Sequence, residues 1–89
     1  MNLNQLEESI ISKKTFLCLG LDTDIEKIPQ HLLAQDDPVF QFNKLLVDRL
    51  SNKIAAVKIN TAFYEARGVD GWNSLEKTIK YIRDNHSDL

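Results

Sequence analysis

Apolar and polar residues alternate along the chain in blocks that predict three helices and two strands. Near the start, four apolar residues recur with helical spacing and predict a first helix over residues 2–13: Leu3, Leu6, Ile10 and Ile11. Asn2 or Asn4 is suited to cap the start of this helix. Lys13 and Lys14 follow at its end, where the helix dipole favours positive charge.

Two later stretches also repeat with a helical period. The first begins at Asp36-Asp37-Pro38, an acidic cap with proline at the first helical position, and is predicted to end at about residue 51 or 52. The residues that repeat with helical period are Val39, Phe42, Leu45, Leu46 and Leu50. The second covers residues 72–86, after a predicted loop that contains Gly68 and Gly71, with Trp72 as a packing anchor. Its charged residues predict a solvated face: Glu76, Lys77, Lys80 and Arg83.

Two short apolar runs, residues 15–21 and 54–59, predict strands that are buried on both faces. The first run contains Cys18, and Gly20 near its end suggests the close approach of another backbone or a ligand. The second run is interrupted by Lys58. A cation inside a buried strand costs several kcal/mol unless it is paired or reaches water. Lys58 is therefore expected to have a partner or to open into a wet cleft.

The order helix, strand, helix, strand, helix predicts a right-handed βαβ unit with parallel strands. Two strands alone do not make a stable parallel sheet that is covered on both faces. The last helix is therefore expected to lead into a third strand, which makes residues 1–89 the N-terminal part of a larger single α/β domain.

Charged residues follow both predicted strands. Asp22 comes directly after the first strand, and Lys58 lies near the end of the second. Because neighbouring parallel strands are about 4.8 Å apart and ligands bind at their carboxyl ends, the two side chains are expected to share one small polar site. A structural ion pair is the equal alternative. Asp24 is interpreted as the cap of a helical turn at residues 25–27, and His31 as a surface or packing residue.

Composition narrows the class of protein. With 43% apolar and 27% charged residues and a net charge of −2, the chain is predicted to be globular and not to bind nucleic acid through its charge. No apolar run approaches the roughly 18 residues of a membrane helix, and no signal peptide is expected. A single cysteine favours a reducing, cytoplasmic setting. No glycine-rich phosphate loop, Cys-x-x-Cys or His-Glu-x-x-His motif occurs, so no metal site is expected.

Two segments resemble orotidine 5'-phosphate decarboxylase, in particular its longer bacterial form. They are Phe16-Leu17-Cys18-Leu19-Gly20-Leu21-Asp22-Thr23-Asp24 and Val57-Lys58-Ile59-Asn60-Thr61-Ala62-Phe63-Tyr64-Glu65, and residues 71–79 fit as well. The resemblance implies a (β/α)8 barrel that converts orotidine monophosphate to UMP and carbon dioxide in pyrimidine biosynthesis. It also implies that the reaction needs no cofactor and that the parent enzyme is a homodimer.

By this resemblance, the substrate-binding residues are Asp22, Lys58 and Asn60. Asp22 would hydrogen-bond the substrate near its ribose and base, and Lys58 would contact the ribose and order the charges beneath the reacting carbon. Asn60 would be a further pocket residue. Two departures from the family pattern, Ile59 for proline and Tyr64 for phenylalanine, are expected not to reach these contacts.

The family's central Asp-x-Lys-x-x-Asp motif on the third strand, which contains the proton donor, does not occur in this chain. A barrel takes about 250 residues, so roughly a third is expected here, without catalytic residues and without activity of its own. Two alternatives stay open. One is a related, metal-dependent sugar-phosphate lyase barrel, and the other is a small non-catalytic interaction module with helices as docking surfaces.

Overall fold

The computed structural model describes residues 1–89 and contains helices and strands in the predicted order, with two short additions. The elements are α1 (Leu3–Lys13), β1 (Cys18–Gly20), α2 (Gln30–Leu33), α3 (Pro38–Leu50), β2 (Ala56–Lys58), α4 (Ala62–Glu65) and α5 (Gly68–Asn85). The additions are α2 and α4, four residues each. A 3-10 turn at Ile25–Lys27 is capped by Asp24, whose carboxylate accepts from the Glu26 amide at 2.9 Å. The interpretation of Asp24 as a cap is confirmed.

The ends of the first two long helices form as their sequences predict. Asn2 caps α1 in a reciprocal capping box, because its side chain accepts from the Gln5 amide and its amide donates to the Gln5 side chain. Lys14 ends α1 in the left-handed region, with φ of 55°. The Asp37 carboxylate caps α3 by accepting from the Phe40 amide at 3.2 Å.

The two strands form a parallel sheet, in which Cys18 pairs with Ala56 and Gly20 with Lys58. Hydrogen bonds continue beyond the pairs, since the Leu21 amide donates to the Lys58 carbonyl at 2.8 Å. The prediction that both faces are buried is wrong: Cys18 is exposed, and Phe16 just before β1 is 83% exposed. The reason is that only two strands are present, so their outer edges are unpaired and the face that carries Cys18 and Gly20 is uncovered.

The main cluster of the hydrophobic core is built mostly from residues of the helices. It consists of Ile28, Leu32, Val39, Tyr64 and Leu75. In α3 the buried stripe runs through Val39, Asn43 and Val47, whereas Leu45 lies on the exposed side near charged residues. Leu45, although part of the apolar repeat, therefore lies outside the core. The apolar repeat of α3 is wider than one face, and packing selects the side that carries Asn43.

Helix α1 is held across the sheet's amino end mainly by polar contacts. Ser9 donates to the Ala55 carbonyl at 3.2 Å, and Lys13 Nζ donates to the carbonyls of Ser51 at 2.9 Å and Ile54 at 3.2 Å. Of the residues in α1, only Ser9 is buried. Leu3 and Ile11, two of the four apolar residues whose spacing predicts α1, are exposed because no element covers that side of the helix.

Helix α5 begins at Gly68, before the predicted residue 72, so the predicted loop is its first turn. Gly71 allows this start: a Cβ at residue 71 would lie 1.7 Å from the Tyr64 carbonyl oxygen, so only glycine lets α5 pack on α4. The packed face of α5 contains Gly71, Ser74, Leu75 and Thr78. Trp72 points away from this face and is 50% exposed, so its predicted role as a packing anchor is wrong.

Candidate functional site

Asp22 and Lys58 lie at the same edge of the sheet, where both strands end. Lys58 is the last residue of β2 and pairs with Gly20. Partners in a parallel register project to the same face, so Lys58 shares a face with Gly20. A Cβ placed on Gly20 would lie 3.3 Å from Asp22 Oδ2, so the Asp22 carboxylate leans over Gly20 on that face. The structure thus brings the two predicted site residues to one uncovered polar edge.

The two charges do not form an ion pair with each other. The structure contains three ion pairs, Lys13–Asp88, Lys77–Asp37 and His86–Asp48, and Lys58 is in none of them. The alternative of a structural Asp22–Lys58 pair is therefore wrong for this chain. Lys58 is exposed, so its side chain is not confined to an apolar interior and needs no buried partner.

Asp22 has one buried carboxylate oxygen without a hydrogen-bond partner. This atom, Oδ1, is the only buried side-chain nitrogen or oxygen in the chain that has no partner. A buried acceptor without a donor costs about 1–3 kcal/mol. A donor that reached Asp22 Oδ1 would remove this cost.

Asn60 is exposed and fixes the turn before α4. Its Oδ1 accepts from the Ala62 amide at 3.1 Å. The Phe63 amide donates to its carbonyl at 3.3 Å. The role of Asn60 as a pocket residue stays a prediction.

A buried polar network lies behind the Asp22 edge, and sequence reasoning missed it. The Tyr64 hydroxyl donates to the Leu21 carbonyl at 2.8 Å and accepts from Asn43 Nδ2 at 3.0 Å. The second Asn43 Nδ2 proton goes to Thr78 Oγ1 at 3.0 Å, and Asn43 Oδ1 accepts from Thr23 Oγ1 at 2.5 Å. We call Tyr64, Asn43, Thr23 and Thr78 the buried network. All four are buried, and they join α3, α4, α5 and the end of β1.

One sequence signal for this network exists. Asn43 is four residues from Val39 and four from Val47, so it lies in phase with the apolar stripe of α3. Thr78 likewise lies one turn after Ser74 on the packed face of α5. A polar residue in phase with an apolar stripe is buried, and a buried amide requires partners. The signal indicates burial but does not identify the partners.

Burial also affects the ionisation of Tyr64. Burial raises the pKa of its hydroxyl, hydrogen bonds with Asn43 and Thr23 oppose this rise, and the negative charge of Asp22 adds to it. Tyr64 therefore remains a neutral hydroxyl that donates and accepts at ordinary pH. The expectation that Tyr64 does not reach the substrate contacts stays a prediction, although its hydroxyl donates to the carbonyl of Leu21, the residue that precedes Asp22.

A polar cluster at the start of α3 and α5 extends this arrangement. Ser74 Oγ donates to Asp37 Oδ1 at 2.7 Å, and Lys77 Nζ lies 3.2 Å from Asp37 Oδ2. Burial raises the pKa of Asp37, but the hydrogen bonds from Ser74 and the Phe40 amide, together with Lys77, hold the pKa below its ordinary value of 3.8. Asp37 is thus a charged cap and also an anchor for α5.

A second cluster, which we call the surface cluster, lies towards the other ends of the same helices. It consists of Asp48, Tyr81, His86 and Lys44. Asp48 Oδ1 accepts from the Tyr81 hydroxyl at 2.6 Å and lies 2.8 Å from His86 Nε2. Lys44 Nζ lies 5.4 Å from the centre of the Tyr81 ring. The hydrogen bond to Asp48 raises the pKa of Tyr81. Slight burial raises the pKa of Asp48, but the bonds from Tyr81 and His86 outweigh this effect and lower it.

The remaining candidates take no part in a site. His31 is exposed, as predicted for a surface residue. No group of three or more histidine, cysteine, aspartate or glutamate side chains is arranged to hold a metal ion. None of the helices combines the length and apolar character that crossing a bilayer requires.

The fold and this edge together define a class of protein. It is the α/β class built from parallel βαβ units, in which ligands bind at the carboxyl ends of the strands. No protein-family model matches the chain.

Curated relatives narrow this class to particular proteins. The chain is 54% identical over 88 residues to orotidine 5'-phosphate decarboxylase of Phocaeicola vulgatus, which covers 99% of the chain and 32% of the relative. It is 52% identical over 89 residues to the protein of the same name from Flavobacterium johnsoniae, with 100% and 33% covered. The Bacteroides fragilis protein of that name is 54% identical over 88 residues. The chain matches their N-terminal portion and spans about a third of their length.

Proposed function

We propose that residues 1–89 are the first part of a single (β/α)8 barrel domain of an orotidine 5'-phosphate decarboxylase. The observation that carries this proposal is the identity of 54% across 99% of the chain with a relative of that name. A parallel βαβ unit with a polar carboxyl edge is the structure that the first units of such a barrel require.

The open surfaces of the chain support the barrel. The outer edge of β2 is unpaired. An open cavity of about 360 Å³ is lined by apolar residues of the β2 segment and of α5, among them Val57, Ile59, Ile79 and Ile82. A third parallel strand that pairs with β2 would cover these apolar side chains. The uncovered face with Cys18 and Gly20 would then line the barrel interior, where side chains from successive strands fill the space.

Asp22 and Lys58 are proposed to bind orotidine monophosphate. The unpartnered Asp22 Oδ1 would accept a hydrogen bond from a ribose hydroxyl or the base. Lys58, unpaired on the same face, would contact the ribose and order charges below the reacting carbon. Asn60 would add a polar contact at the same edge, from the turn before α4.

This arrangement fits a decarboxylation that proceeds through charge stabilisation. Loss of carbon dioxide leaves negative charge on carbon, and fixed charges in a dry pocket stabilise it without reorganising. Contacts to the ribose, distant from the reacting carbon, supply binding energy that holds the substrate in place. Asp22 and Lys58 would supply such contacts and would not be the proton donor. Residues 1–89 alone are therefore proposed to be inactive, and the complete enzyme to be a cytoplasmic homodimer without a cofactor.

The two other hypotheses are less favoured. The relatives from three organisms described above all carry the decarboxylase name, and none of the three is named as a sugar-phosphate lyase. A self-contained interaction module would cover its apolar side chains, whereas Phe16 is 83% and Leu17 is 59% exposed here.

The test uses the complete gene product, whose intact mass is measured first. A protein of barrel size should convert orotidine monophosphate to UMP, followed by ultraviolet absorbance, and should keep this activity after dialysis against a chelator. Absence of turnover in a barrel-sized protein would refute the proposal, and loss of turnover with the metal would favour the lyase class. A mass near 10.2 kDa should accompany no decarboxylation.

A further inference from the structure

We propose that Tyr64 and Asn43 are positioning residues that hold Asp22 in its binding direction. This inference rests on the proposed function, since it assigns work to two residues behind the same site. Asp22 lies between two residues, Leu21 and Thr23, that are both hydrogen-bonded to buried side chains.

Each neighbour of Asp22 is bound to one member of a hydrogen-bonded pair of side chains, Tyr64 and Asn43. On one side, the Leu21 carbonyl accepts from the Tyr64 hydroxyl at 2.8 Å. On the other side, Thr23 Oγ1 donates to Asn43 Oδ1 at 2.5 Å. Tyr64 and Asn43 are joined to each other at 3.0 Å. The backbone at Asp22 is therefore bridged by a closed chain of hydrogen bonds.

This chain of hydrogen bonds has few alternative arrangements. Both Asn43 Nδ2 protons are used, on Tyr64 and Thr78, and Thr78 Oγ1 donates onward to the Ser74 carbonyl at 2.8 Å. Each of these groups is buried, so water does not replace a lost partner. A fully satisfied buried network selects one arrangement of its members.

Asp22 is the residue in this region whose side chain lacks a hydrogen-bond partner. Its Oδ1 is buried and has no partner, although fully partnered groups lie on either side. Without a tether, Asp22 would turn to find a donor or water. The network prevents this rotation and keeps the oxygen free for a ligand.

Tyr64 is the best residue to substitute in a test of this role, because a phenylalanine there would pack equally but lack the hydroxyl. Tyr64→Phe removes one oxygen and leaves the Leu21 carbonyl without its donor. Tyr81→Phe is the matched control, because it also removes a tyrosine hydroxyl that donates to a neighbour, but on the surface and away from Asp22. Thr23→Val removes the hydrogen bond from Thr23 to Asn43 and leaves the Tyr64 ring in place. Thr23→Ser keeps a hydroxyl at this position and should keep that hydrogen bond.

The experiment compares these variants in the complete gene product by two readouts. The first is amide hydrogen exchange followed by mass spectrometry without substrate. Tyr64→Phe and Thr23→Val should speed exchange on the order of 10-fold in the peptide around residues 19–24, where local opening controls exchange, and leave α1 unchanged. Tyr81→Phe and Thr23→Ser should not do so.

The second readout is turnover of orotidine monophosphate. Tyr64→Phe should lower kcat/KM by about 10-fold to 100-fold, the scale expected for a misplaced binding group. In an Asp22→Ala background, the same change should cost less than about 2-fold, since the residues act through one group. A merely structural role would lower kcat/KM equally in both backgrounds.

The outcomes separate the two proposals. Unchanged exchange at residues 19–24 in both Tyr64→Phe and Thr23→Val would overturn the positioning role, as would full additivity with Asp22→Ala. Absence of turnover in the unsubstituted barrel-sized protein would refute the proposed function instead. The exchange result, which needs no substrate, would then decide the positioning role alone.

Discussion

Two tyrosines bind helix α3 through their hydroxyl groups, one inside the molecule and one at its surface. Tyr64 bonds Asn43 and the Leu21 carbonyl, whereas Tyr81 donates to Asp48 at 2.6 Å, a shorter contact than the 2.8 Å from Tyr64 to Leu21. Tyr64 is fully buried, whereas the Asp48 side chain is 41% exposed. Water can replace the partner of Tyr81 but not the partners of Tyr64. The burial of each hydrogen bond, and not its length, therefore decides which of the two contributes more to stability.

Two aspartates with lowered pKa values also differ in burial. Asp37 in the cluster near the buried network has a side chain only 11% exposed, against 41% for Asp48 in the surface cluster. Polar contacts thus connect helices α3 and α5 at two joints. The firm joint, near the helix starts and behind the polar edge, is mostly buried, whereas the loose joint near the helix ends is more exposed. The firm joint lies where the proposed site requires fixed geometry.

The largest contrast is expected in turnover. In the complete gene product, Lys58→Ala should lower decarboxylation by more than about 100-fold, because a preorganised charge beside the substrate is lost. Glu76→Ala, a change on the exposed side of α5, should leave the rate within about 2-fold because surface charges are screened. Steady-state kinetics measures both. Equal, small losses in the two variants would contradict the assignment of Lys58 to the site.

The second largest difference is expected in the free energy of unfolding. Asn43→Ala removes three hydrogen bonds and leaves Tyr64, Thr23 and Thr78 short of partners, so it should destabilise the protein by about 2–4 kcal/mol. Asp48→Ala should shift the urea midpoint much less. Urea denaturation of the complete gene product measures both changes. A loss of stability with Asp48→Ala as large as with Asn43→Ala would break the comparison.

Acid should then weaken the joint at Asp37 more than the one at Asp48. Because the pKa of Asp37 is lower when folded, the unfolded chain binds more protons between the two pKa values, so stability rises with pH there. This contribution is complete above the ordinary value of 3.8 and is lost as pH falls through the folded pKa. Asp37→Asn should flatten the stability curve below the ordinary value of 3.8 more than Asp48→Asn does. Parallel curves for the two variants would argue against the difference in burial.

The smallest effect is expected for Tyr81→Phe. Its hydroxyl can exchange Asp48 for water, so the thermal midpoint should not change measurably. Differential scanning calorimetry provides the test, with Tyr64→Phe as the buried counterpart. A clear fall in the midpoint for Tyr81→Phe would show that the surface cluster is more cooperative than its exposure implies.

Neighbouring residues along the sequence were sufficient to predict much of the frame. The Asn2 cap, the Asp37-Pro38 helix start and the shared edge of Asp22 and Lys58 follow from local patterns and the rule for parallel strands. These features depend on residues within one turn or on strand order. Burial of the strands was predicted wrongly, because a buried-strand pattern assumes covering elements that this chain does not contain.

The sequence by itself determined the order of elements, most helix ends and the edge at which charged residues collect, because local periodicity and capping encode them. Only the tertiary structure decided that Asp22 and Lys58 stay unpaired and that Tyr64 reaches Leu21, 43 positions away. It also decided that Asn43, within an apolar stripe, bonds Thr78 across 35 positions. Such contacts depend on how helices pack, and no spacing along the chain specifies which buried polar groups will meet.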